Sequence, residues 1–160
     1  MWKDLPIIFN NSKILNTGFG GSKASDLLYF IQELILDYNP SKVIIYEGDN
    51  DVSGGQNINF IFKNIIKRIR NKNNNTHVIL ISAKPSISRW HLRQKHIELN
   101  NKYKNLALKR DYIHFADTWS KMLDSGELKT DIFISDGLHL NQKGYKIREN
   151  VLRPILKNSN

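Results

Sequence analysis

Lys42-Val43-Ile44-Ile45-Tyr46-Glu47-Gly48-Asp49-Asn50-Asp51 sets a short apolar run, rich in β-branched residues, directly against a polar turn that contains glycine. A run of this kind, bounded by turn residues, reads as a buried parallel strand. Two others have the same form: Lys13-Ile14-Leu15-Asn16, also closed by a glycine-containing turn, and His77-Val78-Ile79-Leu80-Ile81-Ser82, closed by Lys84-Pro85. A weaker strand is expected at Tyr112-Ile113-His114-Phe115. Between and after them, apolar residues recur at helical spacing over 25–38, 58–71, 90–109 and 142–156. Strand and helix in alternation predict an α/β fold of three layers, α/β/α, with a parallel sheet covered by helices on both faces. Sites in such sheets form beyond the carboxyl ends of the strands.

Composition narrows the class further. With 160 residues and 40% hydrophobic content, the chain fits one domain spanning 1–160, and no internal repeat or linker divides it. No apolar run approaches the roughly 18 residues that a membrane span requires, and no signal peptide opens the chain, so a soluble, cytoplasmic protein is expected. The absence of cysteine excludes disulfides, a thiolate nucleophile and cysteine-ligated metal. His91 and His96 lie five apart, off the one-turn spacing for shared ligation, while His77 and His114 belong to strands. No metal site and no cofactor are expected. The net charge of +9 raises the question of nucleic acid. Its densest run, Lys63 to Lys72, places Phe62, Ile65, Ile66 and Ile69 on one helical face and Lys63, Lys67, Arg70 and Lys72 in water, which is the pattern of a solvated helix; no nucleic-acid partner is expected.

Three motifs fall at the predicted carboxyl ends. Asn16-Thr17-Gly18-Phe19-Gly20-Gly21-Ser22 comes after the first run and Glu47-Gly48-Asp49-Asn50-Asp51 after the second. Ser135-Asp136-Gly137-Leu138-His139 comes just before the last helical segment. Each alone has an ordinary structural reading: Gly21 as a helix-start glycine, Asn50 and Asp51 as a loop and helix cap, Ser135 or Asp136 as a cap of the final helix. The spacing of Asp136 and His139 is about one helical turn, which puts the two side chains on one face if the helix begins there.

In this order the motifs resemble the blocks of the SGNH or GDSL hydrolases, a superfamily of esterases and lipases. Asn16 to Ser22 resembles the glycine block, Gly48-Asp49-Asn50-Asp51 the Gly-x-Asn-Asp block, and Asp136-Gly137-Leu138-His139 the Asp-x-x-His block. Lys84-Pro85-Ser86 with Ser88-Arg89-Trp90, and Leu152-Arg153-Pro154, are similar to one bacterial branch, so the likeness runs from about Trp2 to Leu156. The resemblance implies a flavodoxin-like parallel sheet and a serine ester hydrolase acting on small acyl or acetyl esters, with carbohydrate esters among the candidates.

The chemistry of those residue types fits that implication. Ester hydrolysis passes through a tetrahedral intermediate with a negative oxygen, which needs donors fixed where the charge develops. Gly21 supplies a backbone N–H with no Cβ in the way, and Asn50 an amide that donates without titrating. The two are the candidate oxyanion hole. His139 is the candidate base that takes the nucleophile's proton and returns it to the leaving alcohol, with Asp136 fixing its tautomer.

The chain departs from the family at the nucleophile. In the family, that serine sits in a Gly-Asp-Ser-like block right after the first strand, whereas Met1-Trp2-Lys3-Asp4-Leu5 resembles the end of the first helix, which lies beyond that block. The resemblance therefore implies that the first, central strand and the nucleophile lie upstream of Met1, where a secretion signal would also stand, and that this chain has no nucleophile of its own. Ser12, Ser22, Ser53, Ser82, Ser86 and Ser88 do not match the block, and Ser22 reads as a helix cap. A small-molecule ester is the expected partner; the alternative is a ligand-binding pseudoenzyme of the same fold. Loops 54–59 and 87–93 are expected to shape the substrate pocket.

Overall fold

The computed structural model describes residues 2, 4–55 and 58–158. Strands β1 (Lys42–Ile45), β2 (His77–Ile81) and β3 (Ile113–Ala116) form a parallel sheet in the order β1-β2-β3. Ile45 pairs with Leu80 and Leu80 with Phe115, so the three carboxyl ends open on the same edge. The helices are α1 (Leu5–Ile8), α2 (Ala24–Tyr29), α3 (Ile31–Leu34), α4 (Asp49–Ser53), α5 (Asn59–Lys72), α6 (Arg93–Leu108) and α7 (Gln142–Asn158). A small antiparallel pair, β4 (Leu123–Asp124) with β5 (Glu127–Leu128), precedes the last helix.

Successive strand residues point to opposite faces, and this alternation divides the core. Val43, Ile45, Val78, Leu80 and Ile113 join Ala24, Leu27, Ile31, Phe62, Ile65, Leu99 and Tyr103 in one cluster beneath α2, α3, α5 and α6. Ile79, Ile81 and Ala116 face the other way, packing with Leu152 of α7 and with Trp2 and Phe9 around α1. Helices thus cover both faces, as expected. The α1–α7 layer is thinner over β1: Ile44 is 36% exposed, whereas Ile79 on β2 is fully buried.

In α5, Phe62, Ile65, Ile66 and Ile69 all go into the core. Burying each contributes about 1.5–3 kcal/mol, which outweighs the cost of a helix whose start has no side-chain cap. Lys63, Lys67 and Lys72 are exposed, but Arg70 is not free in water. Its guanidinium lies 4.0 Å above the Tyr112 ring and donates to the Thr76 carbonyl.

Two sequence expectations fail here. The run Lys13 to Asn16 forms no strand. Ile14 and Leu15 supply only two apolar side chains, Leu15 is 60% exposed, and Asn16 spends its amide on the Trp2 carbonyl and its oxygen on the Gly18 N–H. A short polar-flanked run with local partners has little to gain from a ladder. The helix expected over 25–38 is broken into α2, α3 and a 3₁₀ turn at Leu36–Tyr38. Ile35 and Leu36 are both buried, yet adjacent helix positions lie about 100° apart, so the chain tightens to bury both. No helix among the described residues is long and apolar enough to cross a membrane.

Candidate active site

The Asp136–His139 pair forms, though not on a helix. Residues 135–139 are a turn, and α7 begins only at Gln142. Asp136 Oδ1 accepts the backbone N–H of Leu138 and of His139, while Oδ2 lies 2.6 Å from His139 Nδ1. One carboxylate therefore closes the turn and holds the ring. Those bonds, that of His139 first, pull the Asp136 carboxyl down to about 2. Gly137 completes the turn at φ +63°, and a Cβ there would stand 3.0 Å from Ile87. The helix cap expected of Ser135 or Asp136 is made instead by Asn141, whose Oδ1 accepts the N–H of Lys143 and Gly144.

Gly21 is exposed with φ +78°, and the space where a Cβ would stand is empty to 4 Å. One residue on, the Ser22 carbonyl accepts the Asn50 side-chain N–H at 2.9 Å. That bond ties the two candidate oxyanion donors into one unit and uses one of the two amide hydrogens of Asn50. The Asn50 oxygen accepts from Arg89 at 3.1 Å, which fixes the amide's orientation. Asp51 caps a different element from its own: both its oxygens take the Ala24 N–H at the start of α2. Burial, the largest influence, keeps its carboxyl above the ordinary value despite that bond.

Gly48 shows why glycine opens this block. Its φ is +108°, and an added Cβ would stand 2.5 Å from Leu99 and 2.9 Å from the Tyr103 hydroxyl. Without a side chain at this position, α6 packs directly on the strand end.

Asp49 is the centre of a buried network that sequence reading left unassigned. Its Oδ1 meets Arg89 at 2.8 Å and His96 at 3.1 Å, and its Oδ2 meets Lys84 at 2.9 Å and the Tyr46 hydroxyl at 3.3 Å. Burial pushes this carboxyl up, but the bonds from His96, Lys84 and Arg89 outweigh it and hold it well below the usual carboxylate range. The network anchors the segment after β2. From that segment Arg89 reaches Asn50, while Ser88 donates to the Gly137 carbonyl at 3.1 Å. Loop 87–89 thus joins the histidine turn to the Gly21–Asn50 unit.

Glu47 was also missed. Its Oε1 accepts from the Ser22 hydroxyl at 2.6 Å, so Ser22 is bound to a carboxylate and not to a helix end. Burial, with help from Asp51 and Asp26, pushes the Glu47 carboxyl up to about 7 against the Ser22 hydrogen bond. Pairing between Ser22 and Glu47 spans two loops, and no local pattern signals it. Of the expected pocket loop 54–59, Gln56 and Asn57 lie outside the described residues.

A parallel sheet with helices on both faces, bearing these blocks at one edge, has the architecture of GDSL-like hydrolases. The chain belongs to the GDSL-like Lipase/Acylhydrolase family, whose sequence profile matches residues 3–147. A GDSL-like lipase from Bacteroides thetaiotaomicron has the same fold with a TM-score of 0.79 and 25% identity, over 97% of this chain and 80% of that one. The family 3 carbohydrate esterase of Clostridium thermocellum shares the fold with a TM-score of 0.69 at 22% identity, over 86% of this chain and 66% of that one. An N-acylneuraminate cytidylyltransferase of Escherichia coli is 26% identical over 154 residues, which are 92% of this chain and 36% of that protein. The chain thus spans about a third of that relative's length.

Proposed function

We propose that this chain carries the acid–base and oxyanion-stabilising residues of a metal-independent serine esterase site for small acyl esters, chiefly acetyl esters on sugars. His139 Nε2 takes the proton of an attacking serine hydroxyl while its Nδ1–H stays on Asp136. The carbonyl oxygen gains negative charge as the tetrahedral centre forms, and the Gly21 N–H with the second amide hydrogen of Asn50 stabilise it. The intermediate collapses when His139 passes its proton to the departing alcohol. Water then attacks the acyl-serine by the same route and releases the acid.

The observation that carries this reading is the linkage through residues 87–89. One short segment binds Gly137 beside His139 and also the Asn50 amide, which in turn holds the carbonyl next to Gly21. The choice of a sugar ester is supported by a carbohydrate esterase of the same fold and by a relative named for an N-acylated sugar acid. None of this chain's serines is given the nucleophile's role, and Ser22 is already bound to Glu47. The test is hydrolysis of 4-nitrophenyl acetate and of an acetylated sugar. It is run on the 160-residue chain and on the same chain extended by the in-frame sequence ahead of the Met1 codon, each with and without His139→Ala. Turnover that disappears with His139 supports the reading; no His139-dependent turnover in either form contradicts it.

One observation favours a second reading, a ligand-binding domain without turnover. Among the described residues no hydroxyl is hydrogen-bonded to the His139 ring, whose one side-chain partner is Asp136. Calorimetric binding of an acetylated sugar that remains intact would identify that role.

A further inference from the structure

Arg148, on α7, is a buried charge that the proposed chemistry leaves unused. It is 6% exposed, and its guanidinium carbon lies 3.9 Å from the centroid of the Tyr46 ring and 5.9 Å from that of Tyr145. Its Nε and Nη2 hydrogens meet no acceptor among the described residues. An arginine keeps its charge at any working pH, so it cannot escape this situation by losing a proton.

The carboxylates around it are committed elsewhere. Asp49, which meets the hydroxyl of the same Tyr46 ring, is shared by Lys84, Arg89 and His96. Glu149, next in the chain, is bonded to Lys146 and Arg153. Lys84, itself 5% exposed, adds a second buried cation on this side of the sheet. The Asp49 and Glu149 carboxylates are therefore engaged by other cations, while the Nε and Nη2 donors of Arg148 are left over. Such a group is costly unless paired and hydrogen-bonded.

Geometry narrows the missing partner. Nε–H and Nη2–H lie on one edge of the guanidinium plane and point the same way, which is the fork that takes both oxygens of a carboxylate at once. Tyr46 comes directly after β1, so this fork sits at the carboxyl edge of the sheet, where the candidate site also lies. Ser86 Oγ, 2% exposed and two residues beyond Lys84, is the one other buried side-chain polar atom without a partner among the described residues.

We propose that Arg148 is the anchor of a carboxylate-binding site, which takes a small monocarboxylate edge-on through Nε and Nη2. The inference stands apart from the esterase reading, since it rests on Arg148 and its committed neighbours and on none of the four candidate catalytic residues.

The test uses the 160-residue chain, dialysed free of carboxylates, with sodium acetate as probe and sodium chloride at equal ionic strength as control. Acetate should raise the midpoint of thermal unfolding saturably, by about 3 to 6 °C at tenfold excess over its dissociation constant. The Arg148 Nε–H resonance should move downfield along the same curve. Arg148→Met should lose the acetate-dependent rise, and the wild-type titration decides the matter by itself should that variant fail to fold. If the carboxylate comes from a second copy of the chain, the midpoint instead rises with protein concentration in acetate-free buffer, again only with Arg148 present. A midpoint indifferent to both, or an acetate effect retained in Arg148→Met, overturns the proposal. So does an Nε–H resonance already at its hydrogen-bonded position in dialysed monomer.

Discussion

Asp136 holds His139 with one oxygen and its own turn with the other: Oδ2 lies 2.6 Å from Nδ1, while Oδ1 takes the N–H groups of Leu138 and His139. Ring orientation and backbone shape are therefore set by the same side chain. Both residues are substantially exposed, so the pair owes its geometry to these bonds and not to surrounding packing.

Substitution at Asp136 should separate the two functions. Asp136→Asn keeps an oxygen for the turn but replaces the carboxylate that holds Nδ1–H, whereas Asp136→Ala loses both. Nitrogen-15 spectra should show neutral His139 protonated at Nδ1 in wild type and a mixed tautomer in both variants. Backbone shifts at Leu138 should change chiefly in Asp136→Ala. In a catalytically competent form, Asp136→Asn should lower kcat by about 10⁴-fold, as loss of a triad carboxylate does. An unchanged tautomer in Asp136→Asn would contradict the assignment.

Glu47 should make stability fall as pH rises. Its carboxyl has an ordinary value of 4.5 and is raised to about 7 by burial in the folded chain. Above pH 4.5 the unfolded chain releases this proton while the folded chain keeps it, so stability falls until about pH 7 and is then level. Glu47→Gln should remove that slope and gain on the order of 2 kcal/mol at pH 8 relative to wild type. Urea unfolding of the two proteins between about pH 4 and pH 8 measures the difference, and parallel curves would refute it.

The His77–His114 pair should act in the opposite direction. Their ring nitrogens are 2.9 Å apart, and burial, then His77 and Lys42, hold the His114 ring below its ordinary value of 6.5. The unfolded chain then takes up a proton first as pH falls, so this stability is present above pH 6.5 and is lost below it. His114→Gln should flatten the acid limb of the unfolding curve. An acid limb identical to wild type would show that His114 does not titrate in this way.

Removing Asp49 should be expensive. Lys84, Arg89 and His96 converge on it, and Asp49→Ala strands a buried ammonium and a part-buried guanidinium without their anion. Loss of one member of such a buried network costs about 3 to 5 kcal/mol. The double variant Asp49→Ala with Lys84→Met should recover part of it, since the more deeply buried of the two unpaired charges is gone. A double variant no more stable than the single one would show that the network is not what Asp49 supports.

Much of this architecture was legible because its signals are local. β1, β2 and β3 lie where apolar runs meet turn residues, and α5 is set by the spacing of Phe62, Ile65, Ile66 and Ile69. Lys13 to Asn16 misled for the same reason: a strand requires a neighbour as well as composition, and Asn16 found local partners instead. The site divides likewise. The spacing of Asp136 and His139 carried their contact, but the turn that delivers it depends on Gly137 against Ile87, a contact between residues far apart in the chain. Glu47 with Ser22 and Asp49 with His96 pair residues from separate loops and helices, which periodicity does not reveal.

If the Asn50 amide and the His139 ring serve one reaction centre, substitution of each should separate kcat from KM. In a form that hydrolyses 4-nitrophenyl acetate, Asn50→Ala should lower kcat by about 10²–10³-fold with KM nearly unchanged, because an oxyanion donor acts in the transition state. His139→Ala in the same form should bring the rate close to background. Full kcat in Asn50→Ala, with the thermal midpoint of wild type, would show that the amide is no oxyanion donor and would contradict a shared reaction centre.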